Sequence, residues 1–281
     1  MHEKIKRVAI QGEKGSYSEE AVFKYFKNNK DIKILHCTSF EDAFKNVKNR
    51  KANSALIPIE NSWTGSINEV YDLLLKYNMF IIGEYILKIE HCLIALKKYN
   101  LNEISKIFSH PQAIEQCKNF LKKYDWEIIP FYDTAGSAKM IKEEKIEYAA
   151  SIASKRAAKA YNLKIIKENI QDTENNYTRF IEISNKKIIP FSKKSKTSLI
   201  FATRHVPGAL YKALEPFAKR KINLTKLESR PDKQKAWQYN FYLDFEGNIK
   251  DKKVIEAIKE MKERTKFIKF LGSYKKARHI Y

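Results

Sequence analysis

The sequence predicts an α/β protein of two lobes followed by a smaller α+β unit. Short apolar runs alternate with amphipathic helical stretches through the first half, the pattern of strand–helix units. Residues 80–96 break that rhythm and stay extended, as a chain does when it leaves one sheet to start another. Beyond a Lys-rich linker at 186–196, which contains Pro190, the order becomes strand, helix, strand, strand, helix, strand. A chain of 281 residues is long enough for two domains, each with its own core.

Residues 7–11, with Val8, Ala9 and Ile10, read as a buried strand, and 11–16 as a polar turn with two glycines. Ser16 and Glu19 form a capping box, and Ala21, Val22, Tyr25 and Phe26 mark one face of the helix that follows. Residues 32–37 are a second strand. Ser39 with Asp42 caps the next helix, with Phe40, Ala43, Phe44 and Val47 inward. Residues 54–59 are a third strand and 60–65 a loop. Ser66 with Glu69 opens a helix to about Tyr77. Three such units imply a mainly parallel sheet.

The second series has strands at 104–108, 126–132 and 148–152. Pro111 stands at the first position of a helix reaching Tyr124. Thr134 can cap a helix to Glu144, and 154–161 is a third helix. Residues 164–170 are extended and lead back to the first lobe. Tyr177, Thr178, Arg179 and Phe180 then begin a strand that continues through Ile181, Glu182, Ile183 and Ser184. Neighbours in a strand point to opposite faces, so Thr178 and Arg179 cannot share one. In the last unit, strands fall at 197–203, 223–230, 236–245 and 266–274, with helices at 208–219 and 251–263.

The formal net charge of +21 invites a nucleic-acid reading. The lysines are spread among glutamates along the whole chain, with no aromatic-interleaved patch and no nucleic-acid-binding motif, so no nucleic-acid partner is expected. A positive field does attract small anions. Cys37, Cys92 and Cys117 have neither metal-ligand spacing nor an even disulfide count, which fits core thiols in a reducing compartment. No apolar run is long enough to cross a bilayer, and the start lacks the apolar run of a signal peptide. A cytoplasmic protein without membrane attachment is expected.

Polar clusters recur where strands end and helices begin: residues 12–18, 60–65, 109–112 and 133–137. One alone is explained by helix capping. Four, in two facing lobes, suggest a small anionic ligand held between them. The glycine spacing matches no nucleotide-binding loop, and no hydrolase nucleophile or metal cluster emerges. His110 precedes Pro111, where a capping role and a ligand contact are both open. By itself the 177–180 stretch reads as an ordinary strand with a surface arginine. Its place at the return crossing, beside the cleft, gives it a functional reading.

In order along the chain, the motifs are Gly12-x-x-Gly15-Ser16-Tyr17-Ser18, Pro58-Ile59-Glu60-Asn61-Ser62 with Gly65, Ser109-His110-Pro111-Gln112-Ala113, Thr134-Ala135 and Asn176-Tyr177-Thr178-Arg179-Phe180. This set resembles the prephenate dehydratase family of phenylalanine biosynthesis over essentially the whole length. The last unit, with Gly208-Ala209-Leu210-Tyr211 and Glu228-Ser229-Arg230-Pro231, resembles an ACT regulatory domain. Departures are small: Glu13 stands where the family usually has Pro, Ser16 for Thr, and Asp133 for Ser.

The resemblance implies a two-lobed catalytic domain like a type II periplasmic binding protein, at 1–190. Lobe 1 is about 1–85 with 165–190, and lobe 2 about 90–164. A ferredoxin-like ACT domain occupies 197–281. It implies conversion of prephenate to phenylpyruvate without a cofactor or metal. Thr178 is the implied catalytic residue. Asn61, Ser62 and Thr134 are the implied substrate hydrogen-bonding groups, with Ser16, Ala135, Arg179 and Phe180 as further contacts. Phenylalanine is the implied effector, at Gly208, Ala209, Leu210, Asn223, Glu228, Ser229 and Arg230. A homodimer or homotetramer and a monofunctional chain are also expected. Arogenate dehydratase and a non-catalytic small-anion binding protein are the alternatives.

Overall fold

The computed structural model describes residues 6–27, 29–190, 192, 194–233, 235 and 237–277. The chain opens with β1 (Lys6–Gln11), α1 (Tyr17–Tyr25), β2 (Ile32–Cys37), α2 (Phe40–Lys48), β3 (Ser54–Asn61), β4 (Gly65–Ser66), α3 (Asn68–Lys76) and β5 (Phe80–Lys88). It continues with β6 (Cys92–Ala95), β7 (Lys106–Ser109), α4 (Pro111–Gln116), α5 (Lys118–Leu121), β8 (Glu127–Pro130), α6 (Thr134–Glu143), β9 (Ala149–Ala153), α7 (Lys155–Tyr161) and β10 (Lys164–Lys167). After β11 (Tyr177–Ser184) come β12 (Ser195–Ala202), α8 (Ala209–Lys219), β13 (Leu224–Pro231), β14 (Tyr239–Glu246), α9 (Lys252–Glu263) and β15 (Phe267–Lys275).

The strands form three sheets. The first has the order β2-β1-β3-β11-β5, with the short β4 folded back on β3. Its β1 runs parallel to both β2 and β3, as three consecutive strand–helix units require. The second has the order β10-β6-β9-β7-β8, with β6 antiparallel to both its neighbours and β7 parallel to both of its own. The third is antiparallel, in the order β13-β14-β12-β15, with its two helices packed on Leu199, Phe201, Leu243 and Phe245. The expected break at 80–96 is the passage from β5 in the first sheet to β6 in the second.

Local departures have local causes. The single helix expected from Pro111 to Tyr124 is two, α4 and α5, parted at Cys117. Asp172 parts them: its N–H donates to the Gln116 carbonyl at 2.8 Å, and its carboxylate accepts from Asn119 N at 3.1 Å. Asp133, not Thr134, is the N-cap of α6, because its Oδ1 accepts from Gly136 N at 2.8 Å and Thr134 is already helical. Residues 164–167 do not lead straight back to the first lobe; they pair with β6 as the edge of the second sheet. Lys196, expected in the linker, is buried in β12. Ala236, the expected start of β14, lies outside the described residues, as do Phe191 and Lys193 of the linker.

Two compact units divide the chain: Met1–Val70 with Tyr85–Phe180, and Tyr71–Glu84 with Ile181–Tyr281. In the second unit the face of the β12–β15 sheet turned away from its helices is covered by the 71–84 segment. Tyr242 donates to the Tyr71 carbonyl at 2.8 Å, and Lys196 pairs with Glu84 at 2.9 Å with both side chains buried. Lys269 Nζ donates to the carbonyls of Leu74, Leu75 and Tyr77 at 2.8–2.9 Å. These carbonyls end α3, where unpaired acceptors and the negative pole of the helix dipole favour a cation.

Candidate active site

A cavity of about 480 Å³ lies within the first unit, a volume suited to a small metabolite. Its wall is built where strands end and helices begin. Gln11 and Ser16 belong to the β1–α1 turn, Thr38 and Ser39 to the β2–α2 turn, His110 to the β7–α4 turn, and Asp133 and Thr134 to the start of α6. Each helix start is capped. Ser16 Oγ accepts from Glu19 N, Ser39 Oγ from Asp42 N, and His110 Nδ1 from Gln112 N, at 3.1–3.3 Å. The Glu19 carboxylate turns away from Ser16, accepting from Gly15 N at 2.9 Å and Arg156 Nε at 2.7 Å. Helix N-termini carry the positive pole of the peptide dipole, so these helix starts favour an anion without Lys or Arg among the described residues of the wall.

Among the described residues that line the cavity none is Lys or Arg, in a chain that holds 54 of them. The ionisable side chains there are Glu69, Asp133, His91, His110 and two tyrosines. Burial pushes the Asp133 carboxyl above its ordinary range. Burial also lowers the pKa of His110, against the pull of Asp133, and holds His91 down at about 4. Both imidazoles are therefore neutral near pH 7.

Thr178 lines this cavity and is 9% exposed. Its Oγ1 accepts from Asn61 Nδ2 at 3.0 Å. Phe180, two residues on, lines the same wall, and its ring belongs to the core with Val8, Ile10 and Leu87. Arg179, between them, is not in the lining; it pairs with Glu60 at 3.6 Å, on the side that strand alternation requires. Arg179 is thus placed to brace β3 against β11.

The other expected site residues divide in the same way. Ser16 and Thr134 line the cavity, whereas Ala135 is buried behind it with the core of the second sheet. Asn61 is in the lining, but both ends of its amide are engaged by protein. Nδ2 faces Asn176 Oδ1, the Tyr177 carbonyl and Thr178 Oγ1; Oδ1 accepts from Trp63 N and Thr64 N. Asn61 therefore holds Thr178 from the cavity wall. Ser62 is outside the lining: it donates to the Asn175 carbonyl at 2.8 Å and accepts from Tyr177 N at 2.9 Å, pinning the start of β11.

Sequence reasoning missed Tyr17, His91 and Gln116 as cavity residues. His91 lies in the extended link between β5 and β6, where nothing local marks it. Gln116 did carry a signal: a polar residue on the helical face shared by Ala113 and Cys117, hence at a core position.

The expected effector residues lie in the second unit and are not gathered on one face. Gly208, at φ +75°, is the exposed N-cap of α8, with Ala209 and Leu210 half-buried behind it. Asn223 and Ser229 are exposed. Glu228 and Arg230 share the opposite face of β13, where Lys226 approaches Glu228 at 3.6 Å and Arg230 meets Asp72 at 3.2 Å.

Comparison with known proteins accords with this arrangement. Residues 8–188 match the family described as prephenate dehydratase, and 197–263 match the ACT domain. The chain is 43% identical over 265 residues to the prephenate dehydratase of Methanocaldococcus jannaschii, covering 93% of this chain and 95% of the relative. It is 42% identical to arogenate dehydratase/prephenate dehydratase 2, chloroplastic, of Arabidopsis thaliana, over 95% of this chain and 72% of that one. The crystal structure of prephenate dehydratase from Arthrobacter aurescens in complex with L-Phe superposes with a TM-score of 0.88 at 29% identity, covering 96% of this chain and 90% of that one. The chain belongs to the prephenate dehydratase family and carries an ACT domain behind its dehydratase domain.

Proposed function

We propose that this chain converts prephenate to phenylpyruvate, carbon dioxide and water, with Thr178 donating a hydrogen bond to the departing hydroxyl. The observation that carries the reading is Thr178 Oγ1 in the cavity wall, accepting from Asn61 and so keeping its own proton for a ligand. In the reaction the bond from the ring to the carboxylate breaks and its electron pair enters the ring. The opposite carbon–oxygen bond breaks with its pair on oxygen, and one proton completes the water. A threonine hydroxyl is too weak an acid to drive this by free proton transfer. As a fixed donor to the developing hydroxide it lowers the barrier by about 3 kcal/mol. A wall lined by hydroxyls, amides and helix N-termini, without Lys or Arg among the described residues, supports decarboxylation. A cation on the ring carboxylate would hold its charge where it must be given up.

Residues 1–190 are the catalytic domain on this reading, and 197–281 the regulatory one. L-phenylalanine is the effector, supported by the ligand of the Arthrobacter aurescens relative. Gly208, Asn223 and Ser229 are exposed for it. A homodimer or homotetramer completes that site. The three cysteines, buried and free, support work in a reducing, cytoplasmic compartment. Among the described residues no helix is long and apolar enough to cross a membrane.

Turnover of prephenate by Thr178→Val and Thr178→Ser tests the reading. Loss of at least about a hundredfold in kcat for valine, with partial activity for serine, is expected; near-normal kcat in the valine variant would sink it. The plant relative, named for both arogenate and prephenate, gives a second reading in which arogenate is the substrate. Parallel turnover of the two compounds separates them.

A further inference from the structure

We propose that Gln11 is a specificity-determining residue, its amide reading the substrate side chain at the end of the cavity away from Thr178. There the amide meets the keto group of prephenate or the amino group of arogenate. This rests on the reading of Thr178 as donor to the departing hydroxyl.

Four amide side chains line the cavity: Gln11, Asn61, Gln112 and Gln116. Three are engaged by protein. Asn61 is held at both ends of its amide, Gln112 Nε2 donates to Thr64 Oγ1 at 2.5 Å, and Gln116 Oε1 faces His91 Nε2 at 2.8 Å. Gln11, half-buried at the end of β1, has no side-chain partner among the described residues.

The fold sets Gln11 apart from Thr178. In the first sheet β3 lies between β1 and β11. Neighbouring strands are about 4.8 Å apart, so about 10 Å of sheet separates the two backbones. In prephenate and arogenate the departing hydroxyl and the side chain stand para across the ring. With the hydroxyl at Thr178, a ring lying along the sheet edge carries its side chain toward β1. Thr38 and Ser39 lie beside Gln11, because β1 pairs with β2 in parallel, Gln11 against Cys37. Their oxygens serve α2: Thr38 Oγ1 donates to Asp42 Oδ2 at 2.7 Å, and Ser39 Oγ accepts from Asp42 N at 3.1 Å. The Gln11 amide is left to face the ligand.

An amide carries donors on nitrogen and acceptors on oxygen, and a half-turn about its last side-chain bond exchanges them in nearly the same space. Nε2 donates to a ketone oxygen, and Oε1 accepts from an ammonium. The two compounds share the ring, the hydroxyl and both carboxylates, so only this group tells them apart. A carboxylate in place of the amide keeps the acceptor and removes the donor, which favours the amino compound. Its repulsion of the side-chain carboxylate acts on both compounds and cancels in their ratio.

Turnover of prephenate and arogenate by the full chain, as wild type, Gln11→Glu and Gln11→Leu, tests this. Gln11→Glu is expected to raise the arogenate-to-prephenate ratio of kcat/KM at least about tenfold. Gln11→Leu should raise KM for prephenate about tenfold with kcat within about threefold, the signature of a contact equally strong in ground and transition states. A purely structural role would lower Tm and leave the ratio alone. If Gln11→Glu does not fold, as judged by circular dichroism, the KM and kcat of Gln11→Leu decide. An unchanged ratio in Gln11→Glu, or a wild-type KM in Gln11→Leu, overturns the proposal. Either result beside a dead Thr178→Val discards Gln11 and keeps Thr178. An active Thr178→Val discards the reading beneath it.

Discussion

The cavity wall and the underside of the third sheet are held by opposite means. Around the cavity, Tyr17, His91, Gln116, Asn61 and Thr178 are joined by neutral hydrogen bonds. In the second unit, the 71–84 segment is fastened to the sheet by charge: Lys196 to Glu84, Arg230 and Lys233 to Asp72, and Lys269 to the carbonyls ending α3. The difference follows from what each region must do. A wall that receives an anion and lets carbon dioxide leave is better made of fixed dipoles, which act in one direction and carry no net charge. A packing interface gains specificity from charges that must find their partners, because an unpaired buried charge is costly.

Four measurements put that contrast under strain. Lys196→Met should be the most damaging to stability, costing about 3–5 kcal/mol in urea unfolding, because Glu84 is left charged and buried. Adding Glu84→Leu should recover most of it; a double variant no better than the single would argue against charge as the fastening. The neutral hydrogen-bonded set predicts its own pH dependence. With the folded pKa of His91 near 4 against an ordinary 6.5, stability is unaffected above pH 6.5 and falls between 6.5 and 4, as the unfolded chain takes up a proton that the folded chain refuses. The full loss is about 3 kcal/mol, and His91→Asn should flatten the curve in that window.

Gly15→Ala comes next. Gly15 has φ +84°, and an added Cβ would stand 2.7 Å from Ala157 Cα, where Ser154 also donates to the Gly15 carbonyl. A loss of about 2 kcal/mol, read from thermal unfolding, should appear. Arg179→Ala should be mildest for the ligand: KM within about twofold and a stability loss of about 1 kcal/mol, since the guanidinium meets Glu60 outside the cavity. A tenfold rise in KM would return Arg179 to the binding site.

Much of the fold was legible because its signals are local. Ser16 and Ser39 cap the helices that their spacing announced, and the six-element order of the last unit is the one observed. Where an element was misplaced, a distant residue decided it. Asp172 divides the helix after Pro111, and pairing with β6 draws 164–167 into the second sheet. In the site, the alternation of Thr178 and Arg179 was readable to the face each takes. Asn61 and Ser62 were rightly marked as polar groups at a strand end, but not for what engages them.

The sequence by itself determined the order of elements, the Ser16 and Ser39 caps that border the cavity and the opposed faces of Thr178 and Arg179. These depend on residues a few positions apart, whose geometry the backbone fixes. Only the tertiary structure decided that Asn61, 117 residues before Thr178, would aim its amide at that hydroxyl, and that Tyr17 would reach His91 across 74 residues. The sense of a hydrogen bond between such side chains is set by the backbone donors and acceptors that surround each amide once the chain has folded. No local pattern encodes it.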